Sequence, residues 1–407
     1  MVNAIAIMGG RVVTTDGVAE GSVLVRDGRI AAIGDFHPPA DILRIEAHGA
    51  LIAPGLVDVG VFAIDPPAFA AGGITRAMLM PDRAQPIDTV ALVQHAAAAG
   101  KPKIWVHPLA AATRGLAGTE LAEIGLMREG GACGVATGRQ WIADSGVMHR
   151  LLSYAGALGL RTVVHAEDSG LAADAVMTDG ETATRLGLAA APAETEALAV
   201  ARDLLLVEAT GAPLHFRQVT TARALDLIRD AKKKRLPVSC GITPAHLFLA
   251  DSAVTGFRTF ARLSPPLRDE NDHQACLVAI ADGTIDVICS GHDPQGPEAK
   301  RLPFADAEPG MAGAETLLTL GMTLVRDGLI SFERLFDLLA TAPARLFGLP
   351  GGALVVGAEA DLIVVDPNSP WRIESDKMIA AAGNTPFDGL PVQGRVMRTI
   401  KGGVSIL

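Results

Sequence analysis

Two short stretches of this chain carry side chains able to move protons or hold an ion: His165-Ala166-Glu167-Asp168 and Cys289-Ser290-Gly291-His292-Asp293. A histidine acting as general base contributes typically about 10²–10⁴-fold in rate, roughly 3–5 kcal/mol of barrier. A metal hydroxide contributes more. Coordination lowers the pKa of water from 15.7 to about 7, on the order of 12 kcal/mol for generating the nucleophile. Catalytic zinc needs about three protein ligands, and His165 alone does not supply them. His165 with Glu167 and Asp168 is the fullest fragment of a site. His292 and Cys289 fall at the end of the last expected strand, from which they could approach His165 across a barrel mouth.

The elements that would position these residues are legible as alternation. Short apolar strands are expected at 54–62, 74–80, 103–106, 161–165, 213–219, 237–242 and 284–289, with alanine- and leucine-rich helical stretches between them. Strand and helix alternating over some three hundred residues predict an α/β fold, a parallel (β/α)₈ TIM barrel. On alternation alone a doubly wound sheet stays open. Both chain ends differ from this middle: β-branched runs with turns recur before residue 53 and after Gly351, among them a hairpin signal at Asp27-Gly28 and a strand-like run Ala353-Leu354-Val355-Val356. The expectation is a small β-sandwich domain from 1–53 and 352–407 beside a barrel domain over 54–351.

Length, charge and cysteines narrow the classes. At 407 residues with a net charge of −10, the chain can bury a large core and disfavours nucleic acid as a partner. Its longest basic run, Lys232-Lys233-Lys234-Arg235, reads as the solvated, dipole-matched end of a helix. Asp144 reads as a helix cap. Cys133, Cys240, Cys276 and Cys289 form no C-x-x-C pair, which together with the absence of a leader-like start predicts a reducing cytoplasm. No apolar stretch approaches the roughly 20 residues of a membrane span.

In order along the chain stand Pro54-Gly55-Leu56-Val57-Asp58, Ala71-Gly72-Gly73-Ile74-Thr75, Met80-Pro81-Asp82, His165-Ala166-Glu167-Asp168, Ser264-Pro265-Pro266-Leu267-Arg268-Asp269-Glu270, Glu308-Pro309-Gly310-Met311-Ala312-Gly313-Ala314-Glu315-Thr316 and Asn384-Thr385-Pro386-Phe387-Asp388-Gly389. Taken together, from Gly10 to Gly403, the chain resembles dihydroorotases, which interconvert carbamoyl aspartate and dihydroorotate. The resemblance implies a zinc centre built from a His-x-His pair on the first strand, a carboxylate or carbamylated lysine after a middle strand, two later histidines and an aspartate.

Set against that pattern, this chain departs at most positions. The His-x-His pair is Gly60 and Phe62. No lysine lies between Lys103 and Lys232, and the alternative acid region reads Ala136-Thr137-Gly138-Arg139-Gln140. His165 matches the third histidine; the fourth is Gln218, and the aspartate is Gly291. Two substrate-orienting positions hold Ile64 and Asp82, and the first loop, from Asp65 to Ala70, is short. His246 matches a family histidine that supports structure.

The resemblance therefore implies a dihydroorotase homologue without catalytic, substrate-binding or metal-binding residues. Zinc, the family's cofactor, is expected to be absent. Degenerate members of this kind pair with aspartate transcarbamoylase, so that enzyme is the implied partner, in a homo- or hetero-oligomer. Two alternatives remain: a cyclic-amide hydrolase with a rearranged site of His165, His292 and Asp293, and a sensor whose barrel mouth binds a metabolite.

Overall fold

The computed structural model describes residues 4–38 and 42–407. Eight parallel strands, Leu56–Val61, Ile74–Leu79, Trp105–Ala111, Gly134–Ala136, Thr162–Val164, Leu214–Phe216, Val238–Ile242 and Val287–Ile288, lie side by side in chain order. Contacts between the first and last bring the sheet round into a barrel. Buried Asp58 accepts from Ser290 N at 2.9 Å and from the Ser290 hydroxyl, and Phe62 N donates to His292 O at 2.9 Å. That ring excludes the doubly wound sheet. Its interior is packed by Val59, Met78, Leu109, Ala136, Val163, Val287 and Cys289, as barrels of this class fill their centres with side chains.

Helices cover the outside, among them Ser145–Ala157, Glu194–Thr210, Ala222–Lys233 and Glu270–Ala281. Asp144 caps the first of these, its Oδ1 accepting from Gly146 N at 2.7 Å and Val147 N at 2.9 Å. The basic run does end Ala222–Lys233, but it is not simply solvated. Lys232 Nζ crosses to the last strand and donates to Thr284 O at 2.6 Å and Asp286 Oδ2 at 2.7 Å. Among the described residues no helix is long and apolar enough to cross a membrane.

Strands from both chain ends make one further sheet, in the order Val404–Ser405, Pro391–Lys401, Leu362–Arg372, Leu51–Pro54, Ala4–Thr14, Gly17–Arg26, Arg29–Gly34. Ala4–Thr14 shifts register between Ile7 and Gly10, and beyond that shift its neighbour changes from Leu43–Glu46 to Leu51–Pro54. Ile7, Val23, Val25, Ile30, Ile52, Leu362 and Ile400 pack into its core. Asp27 and Gly28, at φ +50° and +76°, form the two-residue hairpin that their types favour. The run Ala353–Val356 is not a strand: Gly351, Gly352 and Gly357 all take positive φ, and Val355 and Val356 are exposed.

Buried Arg76, on the second barrel strand, joins the two units. It pairs with Glu359 and, at 2.7 Å, with Asp361, which also accepts from Trp105 Nε1 at 3.3 Å and Gly402 N at 2.7 Å. The crossing from sheet to barrel runs through Gly55, where a Cβ would come within 2.4 Å of Thr75 Oγ1.

Candidate functional site

The carboxyl ends of the barrel strands, where barrels of this class carry their chemistry, are occupied here by a stack. Phe62 follows the first strand and is 7% exposed. The Arg139 guanidinium lies 3.6 Å from its ring centroid and that of Arg217 at 5.0 Å. A cation over an aromatic face is held by the ring quadrupole, more strongly when desolvated. Arg139 Nη2 also donates to Asp293 Oδ2 at 2.6 Å, and its backbone N to Asp82 Oδ1 at 2.8 Å. Burial, then the charge of Arg139, pulls Arg217 down to about 10; it remains a cation at neutral pH.

Arg217 leads to His165. Its Nη2 is 3.2 Å from His165 Nδ1, and His165 Nε2 is 3.1 Å from Glu167 Oε2. A guanidinium only donates, so Nδ1 accepts and the ring proton sits on Nε2, donated to Glu167. Burial would push Glu167 up, but its bond from His165 and the charges of Arg268 and Arg262 outweigh this and hold it below the ordinary carboxylate range. Arg268 continues the chain to Glu196, 3.6 Å away. Glu196 in turn accepts from the backbone N and hydroxyl of both Thr220 and Thr221. His165 is thus one link in a buried polar network.

The other positions singled out by sequence do not converge. Gly60 sits at φ +82°, and a Cβ there would lie 3.3 Å from Arg217 Cδ; Gly291, at φ +59°, would place one 3.0 Å from Thr243 Cγ2. Both backbones favour glycine over any side chain. Gln218 is buried with Oε1 unpartnered, and Ile64 packs against the core around the barrel. His215 is tied to Ser239 Oγ at 2.9 Å inside the strand layer, and burial takes it down to about 3. His246 holds Thr243 Oγ1 at 2.8 Å and Pro265 O at 3.1 Å, a structural role.

The rearranged trio is not assembled. His292 turns away from the mouth: its ring lies edge-on to Phe69 at 5.3 Å, and Nε2 is 3.6 Å from Asp65 Oδ2. Asp65 caps the helix Pro66–Gly72, which takes up nearly all of the shortened first loop. Asp293 spends both oxygens, on Arg139 and on Gln295 Nε2 at 3.0 Å. Cys289 points into the barrel core, its thiol pushed up to about 12 by burial.

Inside the mouth, between Phe62, Arg217, Gln218, Thr243, Gly291 and Met311, a cavity of about 20 Å³ remains. That is the scale of one water, whereas ligand sites measure about 300–1,000 Å³. A metal ion does not fit these residues: both ring nitrogens of His165 are engaged, and its neighbour is a guanidinium. Among the described residues no three His, Cys, Asp or Glu side chains are grouped to hold one. A metabolite-sized ligand does not fit either.

Two residues that define the mouth, Arg139 and Arg217, escaped the sequence reading, which asked only whether ligand types were present. Their signal was visible: an arginine stands just beyond the fourth and sixth strands, where a cation lands in the mouth.

A family model described as dihydro-orotase-like matches residues 49–223. A dihydroorotase of Anaeromyxobacter dehalogenans (strain 2CP-1) is 37% identical over 424 residues, covering 99% of this chain and 98% of that protein. One of Syntrophotalea carbinolica is 38% identical over 397 residues, covering 94% and 93%. Among solved structures, the L-hydantoinase (dihydropyrimidinase) of Arthrobacter aurescens superposes with a TM-score of 0.88 at 26% identity, covering 99% of this chain and 95% of that one. Identity sustained over nearly the whole length, on the barrel and terminal sheet just described, places this chain in the dihydroorotase family.

Proposed function

We propose that this chain is a catalytically silent dihydroorotase homologue of the pyrimidine pathway, kept as a structural partner of aspartate transcarbamoylase in a cytoplasmic assembly. The relatives' name argues for hydrolysis of a cyclic amide. The observation that argues against it here is the mouth filled by Phe62 with two guanidinium groups against its ring, with about 20 Å³ left over. Replacement is selective: apart from His165, the positions expected to bind metal and substrate have changed, while Asp58, Gly55 and the turn glycines that build the barrel persist. The partner rests on resemblance to degenerate family members.

Protein purified without an affinity tag is expected to carry well under one zinc per chain by elemental analysis, and to leave carbamoyl aspartate uncyclised at millimolar concentration. Stoichiometric zinc lost on His165→Ala, or turnover abolished by the same change, would reverse the proposal. For the partner, mixing with aspartate transcarbamoylase of the same organism should give a larger species by light scattering and raise that enzyme's stability. Separate elution near micromolar concentration, with the transcarbamoylase fully active alone, would remove the scaffold role.

A further inference from the structure

The mouth poses a charge question that the silent reading leaves open, and the answer deepens that reading and rests on it. Arg217 is 3% exposed, and among the described residues no carboxylate oxygen lies within 4 Å of its guanidinium nitrogens. An isolated buried charge is costly, so something must compensate it. Three of the positions that would ligate a metal in the family surround its side chain. Gly60 leaves room for Arg217 Cδ and Cγ, Phe62 presents its ring face, and His165 offers Nδ1.

We infer that the mouth is a built-in organic-cation site, in which the guanidinium of Arg217 takes the place of the metal and is compensated by Glu167 through the ring of His165. The ordered donors fix the direction: Arg217 Nη2 to His165 Nδ1, then His165 Nε2 to Glu167 Oε2. Glu167 is in turn 3.9 Å from Arg268, so the carboxylate stands between two cations. Phe62 supplies the remaining attraction with its π-face and keeps water out. Asp82 and Asp293 bond to Arg139, and from farther off their charges also favour the Arg217 cation, each by less than Arg139 opposes it. A planar cation with donors on its edge is what this cradle recognises, which a spherical ammonium or a neutral amide of the same shape does not reproduce.

The test is chemical rescue. Arg217→Ala should unfold at lower temperature than the parent, and methylguanidinium chloride between about 1 and 50 mM should raise its midpoint progressively, as ligand linkage requires. The wild type should not respond. Sodium chloride at matched ionic strength and methylurea should leave the variant unchanged. Rescue by methylurea to the same extent, or none by methylguanidinium, overturns the inference. Should Arg217→Ala fail to fold, Glu167→Gln is compared with Glu167→Gln/Arg217→Gln. Removing the compensating charge should lower the folding equilibrium at least about tenfold, and deleting the stranded cation should recover part of that loss. A double variant no more stable than Glu167→Gln overturns the inference. A zinc-free wild type together with an Arg217→Ala variant that methylguanidinium does not rescue leaves the silent mouth standing and removes only the role of Arg217, so the two failures are distinguishable.

Discussion

Phe62→Ala is expected to lower the unfolding free energy by about 4–7 kcal/mol, read as a shift in the urea midpoint at unchanged slope. Removing a buried phenylalanine costs about 3–5 kcal/mol through lost burial and the cavity left behind. The two desolvated cation contacts, at 3.6 Å and 5.0 Å, add roughly 1–2 kcal/mol more. The variant also leaves Arg139 and Arg217 without the ring that both of them contact. Phe62→Leu should fall between, since it keeps volume and loses the π-face. This prediction discriminates between readings of the barrel. Residues in a working site are commonly strained, and replacing them is often neutral or stabilising. If Phe62→Ala were as stable as the parent, the ring would not be core, and a closed-down site able to reopen would fit better than a silent one.

How much of this was legible follows from which residues carry local information. Most barrel strands announced themselves because β-branched or apolar runs such as Ile74–Leu79 sit between turn residues. Gly134–Ala136 did not: three residues beginning with glycine have no period to read, and only parallel pairing on both sides makes them a strand. Ala353–Val356 misled for the opposite reason, with strand-like side chains held in a turn by glycines at positive φ. At the site, loss of ligand types at Gly60, Phe62, Gln218 and Gly291 was readable from the family pattern. What fills the space was not. Whether Arg217 meets His165 or solvent depends on the absent Cβ at Gly60 and on the ring at Phe62, more than 150 positions away in sequence and adjacent only after the barrel closes. His292 shows the same limit: its place beyond the last strand suggested the mouth, and the helix at Pro66–Gly72 captures it on the other side.

The same burial that silences the mouth should make the fold acid-labile, with a net loss of about 5 kcal/mol between pH 7 and pH 4. Burial takes His215 down to about 3, His246 to about 4 and His107, helped by Arg76, to about 4. Each stays neutral in the folded chain while its unfolded counterpart protonates from about pH 6.5, so stability is lost as pH falls below that value. By pH 4 each contributes a loss of about 3 kcal/mol, roughly 9 kcal/mol together. Two buried carboxyls act in the opposite sense. Asp58, closing the barrel on Ser290, and Asp203 are both raised by burial to about 6. The folded state therefore binds their protons more tightly, and each returns about 2 kcal/mol over the same interval. The histidines win because there are three of them and their shifts are larger. Against a total stability of about 5–15 kcal/mol, that difference removes between about a third of the stability and all of it by pH 4. Urea titrations at pH 7, 5 and 4 measure it directly, and His215→Asn should flatten the profile. A stability that stayed level from pH 6.5 to 4 would mean that these rings take up protons in place, against the burial that surrounds them.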